Sequence, residues 1–200
     1  MPRFLMMAAV MLLAACSTLG VKPQNQTSQS QLPEQWSLQG KLASKGLGAA
    51  VFRWQQNGGD SEINISAPLG AGAAKISYFG GQLTVRAGDQ TLQHQDAQYW
   101  LQANGLAVPL DALALWVQGL PHYRLPADKQ DANRFVQAGW SVAVRKWQTV
   151  NCIELPNRMR VEKGDAVLKL GGMRWKLQTD TAPTGPTLFN KPAASECNAA

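Results

Sequence analysis

The side chains that could do chemistry are few and isolated in this 200-residue sequence. His94 and His122 each lack a second metal ligand three or four residues away, a spacing that many metal sites require. Asp96 and Asp111 stand before apolar runs, where a carboxylate is explained by a helix start. None of these residues lies in a motif that pairs a nucleophile with a base. We therefore expect no catalysis, no cofactor and no metal.

The thiol of Cys16 has the clearest chemical context. Arg3 precedes ten apolar residues, 4–13, and the run ends in the sequence Leu-Ala-Ala-Cys. This run is typical of a signal peptide and is too short to span a bilayer. Its end resembles the lipobox of bacterial lipoproteins, in which the cysteine is acylated and the chain is cut before it. Residues 1–15 are thus predicted to be a signal peptide; the alternative is an ordinary signal peptide with a chance cysteine.

The resemblance to lipoproteins also predicts the location of the mature chain. Ser17, and not Asp, follows the cysteine, which in lipoproteins of Gram-negative bacteria favours the outer membrane. We expect a protein anchored through Cys16 on the periplasmic face of that membrane, since two or more acyl chains make attachment stable. Residues 16–35 are Gln- and Ser-rich and predict a flexible tether.

The other two cysteines and the net charge add less. Cys152 and Cys197 would share a compartment that permits disulfides, but Cys197 lies in a tail, 179–200, whose composition predicts disorder. Pairing is therefore left open. The formal charge is +6, or +5 without Arg3, and the basic residues are scattered along the chain without forming a stripe. This pattern suits a membrane surface with anionic head groups and does not indicate nucleic acid.

Residues 36–178 have the length of one domain with one core. Their first half alternates apolar and polar residues with period two, as do the segments after residue 134, and turn residues such as those of 57–60 separate the runs. Lys163 to Asp165 predicts one tight turn, and Gly171 with Gly172 predicts another. The pattern predicts nine to eleven antiparallel strands.

Two helices interrupt the strands. The first is predicted to start at Asp96 as its N-cap and to stop at Gly105, and the second has Pro109 in its first turn and ends near Gly119. Both are short and apolar on one side. The fold class is therefore mainly β, a curved sheet or open barrel with helices on its concave side.

The body of the chain resembles the LolB family of outer-membrane lipoproteins. The resemblance is carried by four segments in order, 40–70, 105–121, 137–147 and 155–177. It implies an incomplete antiparallel β-barrel of about eleven strands with helices covering a hydrophobic cavity. It also implies a receptor that accepts lipoproteins from a LolA-like periplasmic carrier, binds their acyl chains and inserts them into the outer membrane. The alternative is an outer-membrane lipoprotein with an unrelated structural or ligand-binding role.

A cavity for acyl chains needs a wide apolar wall, which rigid aromatic rings supply at small entropic cost. From the alternation, we expect the inward-facing wall to include eight side chains, each of which could instead be ordinary core packing. They are Trp54, Ile63, Ile65, Leu113, Trp116, Val117, Trp140 and Trp147.

Leu69 is unusual because it lies in a predicted turn, between Pro68 and Gly70. Burial of one leucine in lipid contributes about 1.5 to 3 kcal/mol, which is little beside an acyl anchor. The resemblance implies that this loop places cargo in the membrane; the alternative is that Leu69 folds back onto the core.

We predict that Leu69→Glu leaves acceptance of a labelled lipoprotein nearly intact and slows its release into liposomes, because a charged tip resists contact with lipid. Acceptance and release are measured separately with a loaded carrier. An equal fall in both would assign Leu69 to the core or to the cavity wall.

Overall fold

The computed structural model describes residues 32–67 and 72–178. Within these residues the chain forms one eleven-stranded antiparallel sheet, with two helices inserted between its sixth and seventh strands. The elements are β1 Gln35–Ser44, β2 Gly48–Asn57, β3 Asp60–Ser66, β4 Ala73–Phe79, β5 Gln82–Ala87, β6 Gln90–Gln93, α1 His94–Ala103, α2 Leu110–Trp116, β7 Ala127–Asp131, β8 Arg134–Gln137, β9 Trp140–Val150, β10 Ile153–Lys163 and β11 Ala166–Leu177.

The sheet is built from two meanders joined through β1 and β11. The strand order is β6-β5-β4-β3-β2-β1-β11-β10-β9-β8-β7, so the first strand of the chain pairs with the last. The edge strands β6 and β7 do not pair with each other, and the described sheet therefore does not close. The predicted fold class, a mainly β, incompletely closed antiparallel sheet with two short helices, is confirmed.

Period-two alternation directs one face of each strand into the core. In β2, for example, Ala50, Phe52 and Trp54 are buried whereas Val51 and Arg53 are exposed. The inward side chains of neighbouring strands and the helices form one hydrophobic cluster. Burial of such side chains is the dominant favourable term in folding.

The eleven strands fall within the predicted number, but one predicted turn was wrong. Neither β6 nor β7 carries an alternating apolar signal, because β6 is short and polar and every residue of β7 is exposed. Gly171 and Gly172 form a bulge within β11 and not a turn. Lys41 pairs with Gly171 and Gln39 with Arg174, which leaves one extra residue in β11, and Gly172 takes the positive φ of 60° that this bulge needs.

The helix ends differ slightly from the prediction. α1 starts at His94 with Gln93 as its N-cap, and Asp96 lies in the first turn, where the helix dipole still favours a carboxylate. Its C-terminus is as expected: Gly105 has φ of 66°, and the N–H of Leu106 donates to Leu101 O at 2.8 Å, the bond that closes a Schellman motif. Pro109 is the N-cap of α2.

Gln137 at the end of β8 fixes the position of α2 and of the loop that follows it. Its side chain is 1% exposed. Its Oε1 accepts hydrogen bonds from Trp116 Nε1 and from the His122 backbone N–H, both at 2.7 Å. Its Nε2 donates to the carbonyl oxygens of His122 and Leu125, both at 2.9 Å. Every hydrogen-bonding group of this amide is therefore used.

We predict that Gln137→Leu lowers the free energy of unfolding by about 3 kcal/mol or more, because it leaves an indole N–H and three backbone groups without this partner in the interior. Urea titration measures the change. The control is Gln55→Leu, at an exposed position of β2, which should change stability by less than about 0.5 kcal/mol. Equal losses in both variants would contradict the role of Gln137.

Candidate functional site

An apolar pocket lies between the sheet and the two helices, and every residue on its wall is apolar. The sheet supplies inward residues of β1, β2, β3, β4 and β11, and the segment that includes α1 and α2 supplies the opposite side. We call residues 94–117 the cover. The wall consists of Leu42, Phe52, Trp54, Ile63, Ile65, Ile76, Leu168 and Leu170 from the sheet, with Leu101, Leu106, Val108, Leu110 and Leu113 from the cover.

The apolar pocket is nearly filled in this structure. Its volume is about 40 Å³, whereas sites for drug-sized ligands have volumes of about 300 to 1,000 Å³. The cover therefore packs directly on the sheet, and the side chains of each layer fill the gaps between those of the other. Binding of a long apolar chain here requires the cover to move away from the sheet.

A hydrogen-bond chain holds the ring of Trp54 at the inner end of the apolar pocket. Trp54 Nε1 donates to Gln56 Oε1 at 3.0 Å, and Ser61 Oγ donates to the same oxygen at 2.5 Å. The polar edge of the indole is thus satisfied, which leaves its apolar face for the pocket. Behind it, the ring of Trp36 lies 5.3 Å from those of both Trp54 and Trp175.

The C-terminus of α1 is held on the turn between β1 and β2. Ser44 Oγ donates to Asn104 O at 2.7 Å and accepts a longer hydrogen bond, 3.3 Å, from the Leu47 N–H. The fit is close, because a Cβ on Gly46 would lie 2.4 Å from Asn104 Cα. The middle of the cover is therefore attached here, and its C-terminal end is attached through Trp116 and Gln137.

A second, mixed pocket also borders α2. Its volume is about 570 Å³, and it takes both apolar residues, such as Leu115 and Trp36, and polar ones, such as Asp111 and His122. Since Trp36 lines the mixed pocket and Trp54 lines the apolar one, the contact between these rings separates the two. No sequence pattern predicted the mixed pocket, because its residues come from distant segments.

Four of the eight predicted wall residues line the apolar pocket: Trp54, Ile63, Ile65 and Leu113. The other strand residues of the wall were missed, although the same alternation would have found them once the strand register was known; Ile76, for instance, pairs with Ile63. The cover residues were missed because the orientation of the helices on the sheet depends on contacts between distant segments and cannot be read from a local pattern.

The other four predicted wall residues do not line the apolar pocket. Trp116 and Val117 are fully buried at the end of α2, and Trp116 bonds to Gln137 of β8. Trp140 packs on Trp116 with ring centroids 6.4 Å apart. Trp147 is half-buried, donates to Asn133 Oδ1 at 2.7 Å and lies close to Gly119. The structure thus does not bring these four to the apolar pocket.

Several predicted residues lie outside the described ranges: Cys16, Cys197, Pro68, Leu69 and Gly70. Cys152 is disulfide-bonded, and its partner also lies outside those ranges.

The ends of the loop between β3 and β4 are nevertheless defined. The Ala67 N–H donates to Gly72 O at 2.9 Å, and the wall residue Ile65 lies two positions before this stem. The loop therefore emerges beside the apolar pocket.

Residues 32–67 and 72–178 contain no group of three or more potential metal ligands. The same residues contain no helix with the length and apolar character needed to cross a membrane.

Comparison with known proteins gives consistent matches. Residues 34–175 match a family model described as outer membrane lipoprotein LolB. A protein of Halorhodospira halophila named outer-membrane lipoprotein LolB is 30% identical over 197 residues, which cover 90% of this chain and 97% of that relative. One of the same name from Alkalilimnicola ehrlichii is 29% identical, covering 84% and 94%. The chain belongs to the LolB family.

A solved LolA-superfamily protein from Nitrosomonas europaea is similar with a TM-score of 0.44 and 13% identity, over 76% of this chain and 90% of that one. Membership of the LolB family makes this protein an outer-membrane lipoprotein, as the sequence resemblance predicted. The assignment of the lipid to Cys16 stays a prediction.

For this LolB-family protein we predict that Ser44→Ala loosens the cover without affecting the sheet. Loss of about 1 kcal/mol of hydrogen-bond stabilisation should raise amide exchange in residues 104–108 roughly fivefold. Hydrogen exchange followed by mass spectrometry measures this, with central-strand amides as the internal reference. Ser37→Ala, on the outward side of β1, is the control. Unchanged exchange in residues 104–108 would show that Ser44 does not hold the cover.

Proposed function

We propose that this LolB-family protein is the outer-membrane receptor that accepts lipoproteins from a LolA-like carrier by binding their acyl chains between the sheet and the cover. The observation that carries the proposal is the composition of the apolar pocket, whose wall contains no polar residue. Such a wall suits a hydrocarbon chain and offers no hydrogen bond to any polar ligand. Covalent chemistry has no part in the proposal.

The closed pocket gives the proposal a defined conformational step. Because its volume is only about 40 Å³, an acyl chain must replace the cover in contact with the sheet. The exchange is apolar for apolar: Leu110 and Leu113 leave the sheet, and methylene groups, each contributing about 0.8 kcal/mol on burial, take their place. The net cost of opening is then far below that of exposing the same surface to water.

Competition by the cover also lowers the affinity for cargo. When the binding-competent open state is a minor population, the apparent affinity falls by that fraction. The receptor must bind acyl chains more tightly than the carrier does and less tightly than the bilayer does. A free-energy difference of about 1.4 kcal/mol per step gives a tenfold preference for transfer in that direction. The sequence contains no phosphate-binding GxxxxGK[ST] motif through which a nucleotide would drive the transfer.

Delivery to the outer-membrane lipids is assigned to the loop between β3 and β4, whose sequence holds Leu69 between Pro68 and Gly70. What supports this is the position of the loop stem, closed by the bond from Ala67 to Gly72. Since Ile65 of the pocket wall adjoins that stem, a chain that leaves the pocket there has a short path to a membrane touched by the loop.

The apolar and mixed pockets can be distinguished by two variants on one helix. Leu110 and Ala114 are both half-buried on α2, four residues apart. Leu110 lines only the apolar pocket and Ala114 only the mixed one. We predict that Leu110→Gln reduces acceptance of a labelled lipoprotein from the loaded carrier roughly tenfold, because an amide opposes a hydrocarbon chain. Ala114→Gln should accept normally.

The reverse result, loss in Ala114→Gln alone, would place the acyl chains in the mixed pocket and overturn the proposal. Urea unfolding of both variants shows whether a loss reflects instability, and acceptance is compared at equal folded fraction. If the wild-type protein itself took up no cargo, the receptor function would fail and an unrelated ligand-binding role would be favoured.

A further inference from the structure

Basic residues that are scattered along the sequence lie together on the outward face of the sheet. The alternation that points apolar residues inward points their neighbours outward, and on four adjacent strands many of these neighbours are cations. Basic residues that form no stripe along the sequence are in this way brought together on the surface. We define the basic face as Lys41, Arg145, Arg158, Arg160 and Lys169, which border a shallow depression of about 380 Å³.

The strand register makes these five residues neighbours. Lys41 of β1 and Arg158 of β10 both pair with Gly171 of β11, so a residue without a side chain lies between two cations. One step along, Lys169 pairs directly with Arg160. Opposed positions on adjacent strands lie about 4.5 to 5.5 Å apart, and like charges there repel. The repulsion between these cations therefore raises the free energy of the folded protein, and an anionic partner bound to them would remove that cost.

Few acidic residues offset this charge. Among the described residues, the only ion pair of the basic face joins Arg160 to Glu162 at 2.7 Å. Farther along the outward surface, Lys75 is paired with Glu62 at 2.7 Å, and the hydrogen bond from Lys75 lowers the pKa of the Glu62 carboxyl. Lys75, which lies outside the basic face, is thus neutralised by its own partner. Within the basic face, every cation except Arg160 is without an ion pair among the described residues and is available to an anionic ligand.

The basic face lies at the end of the sheet where the loop between β3 and β4 emerges. Lys41 pairs with Val51, and Val51 pairs with Ser66, the last residue of β3. Val51 is 52% exposed, which adds an apolar side chain beside the cations. An outer-membrane lipoprotein is held close to a lipid surface, and cations near an anionic membrane each contribute about 1 kcal/mol.

We propose that the basic face binds the anionic head groups of phospholipids and so turns this end of the sheet toward the membrane. The occupant is a phospholipid surface because exposed cations, an exposed valine and an adjacent loop stem combine charge with apolar contact, as interfacial binding requires. This inference does not rest on acyl-chain binding by the apolar pocket, and either can fail while the other holds.

The test is lysine footprinting on the full-length acylated protein in vesicles of phosphatidylcholine with or without phosphatidylglycerol. A neutral acetylating reagent is used, and mass spectrometry follows Lys41 and Lys169, with Lys129 on exposed strand β7 as the internal reference. We expect both lysines to react at least about threefold more slowly when phosphatidylglycerol is present. Salt at about 1 M, where the Debye length is about 3 Å, should restore the rate.

A paired variant connects this protection to the basic face. Arg145→Gln with Arg158→Gln removes two of its cations and leaves both lysines for measurement, so most of the protection should disappear, since each cation contributes about fivefold. The control, Arg124→Gln with Lys176→Gln, removes two cations that do not border the depression, and the protection should remain. Equal lysine rates in both vesicle types would overturn the proposal, as would protection that appears only when the carrier is added.

Discussion

The structure depends on one constraint: an open sheet with an apolar inner face must have that face covered. A closed barrel of this size would fill its interior with its own side chains, but here β6 and β7 leave the described sheet open. The cover, residues 94–117, does the filling. Its leucines and the sheet's aliphatic and aromatic residues make a core that leaves only about 40 Å³ empty. The covered surface is therefore both part of the folding core and the proposed ligand surface.

This double use explains where the polar contacts occur. The apolar interface between cover and sheet is non-directional and could be repacked around a guest chain, so it does not by itself fix the cover in place. The directional contacts lie at two points of the cover: in its middle, where Ser44 bonds to Asn104, and at its C-terminal end, where Gln137 bonds to Trp116. Between them, residues such as Leu110 and Leu113 have only apolar neighbours in the pocket. Two attached points with an apolar stretch between them allow local opening without loss of the attachment.

The same alternation gives the sheet two different surfaces. Inward residues such as Ile63 meet the cover, and outward residues such as Lys41 and Arg158 form the basic face. One surface suits hydrocarbon and the other suits anionic head groups. The surface region of a bilayer offers both chemistries, with the head groups outermost and the hydrocarbon beneath them. The stem of the loop between β3 and β4 adjoins both surfaces of the sheet. Inward and outward faces could thus contact one membrane at different depths.

The sequence by itself determined the strand periodicity, the two short helices and the family, because these follow from local patterns and from segments that resemble known relatives. With the cavity that the resemblance implied, it predicted Trp54, Ile63 and Ile65 on the pocket wall through strand alternation, and Leu113 from the apolar side of the second helix. It did not determine which way α2 turns Trp116, how far the cover fills the pocket, or that distant cations meet. Those outcomes were decided by the tertiary structure, because strand register and helix orientation depend on contacts between residues far apart in the chain.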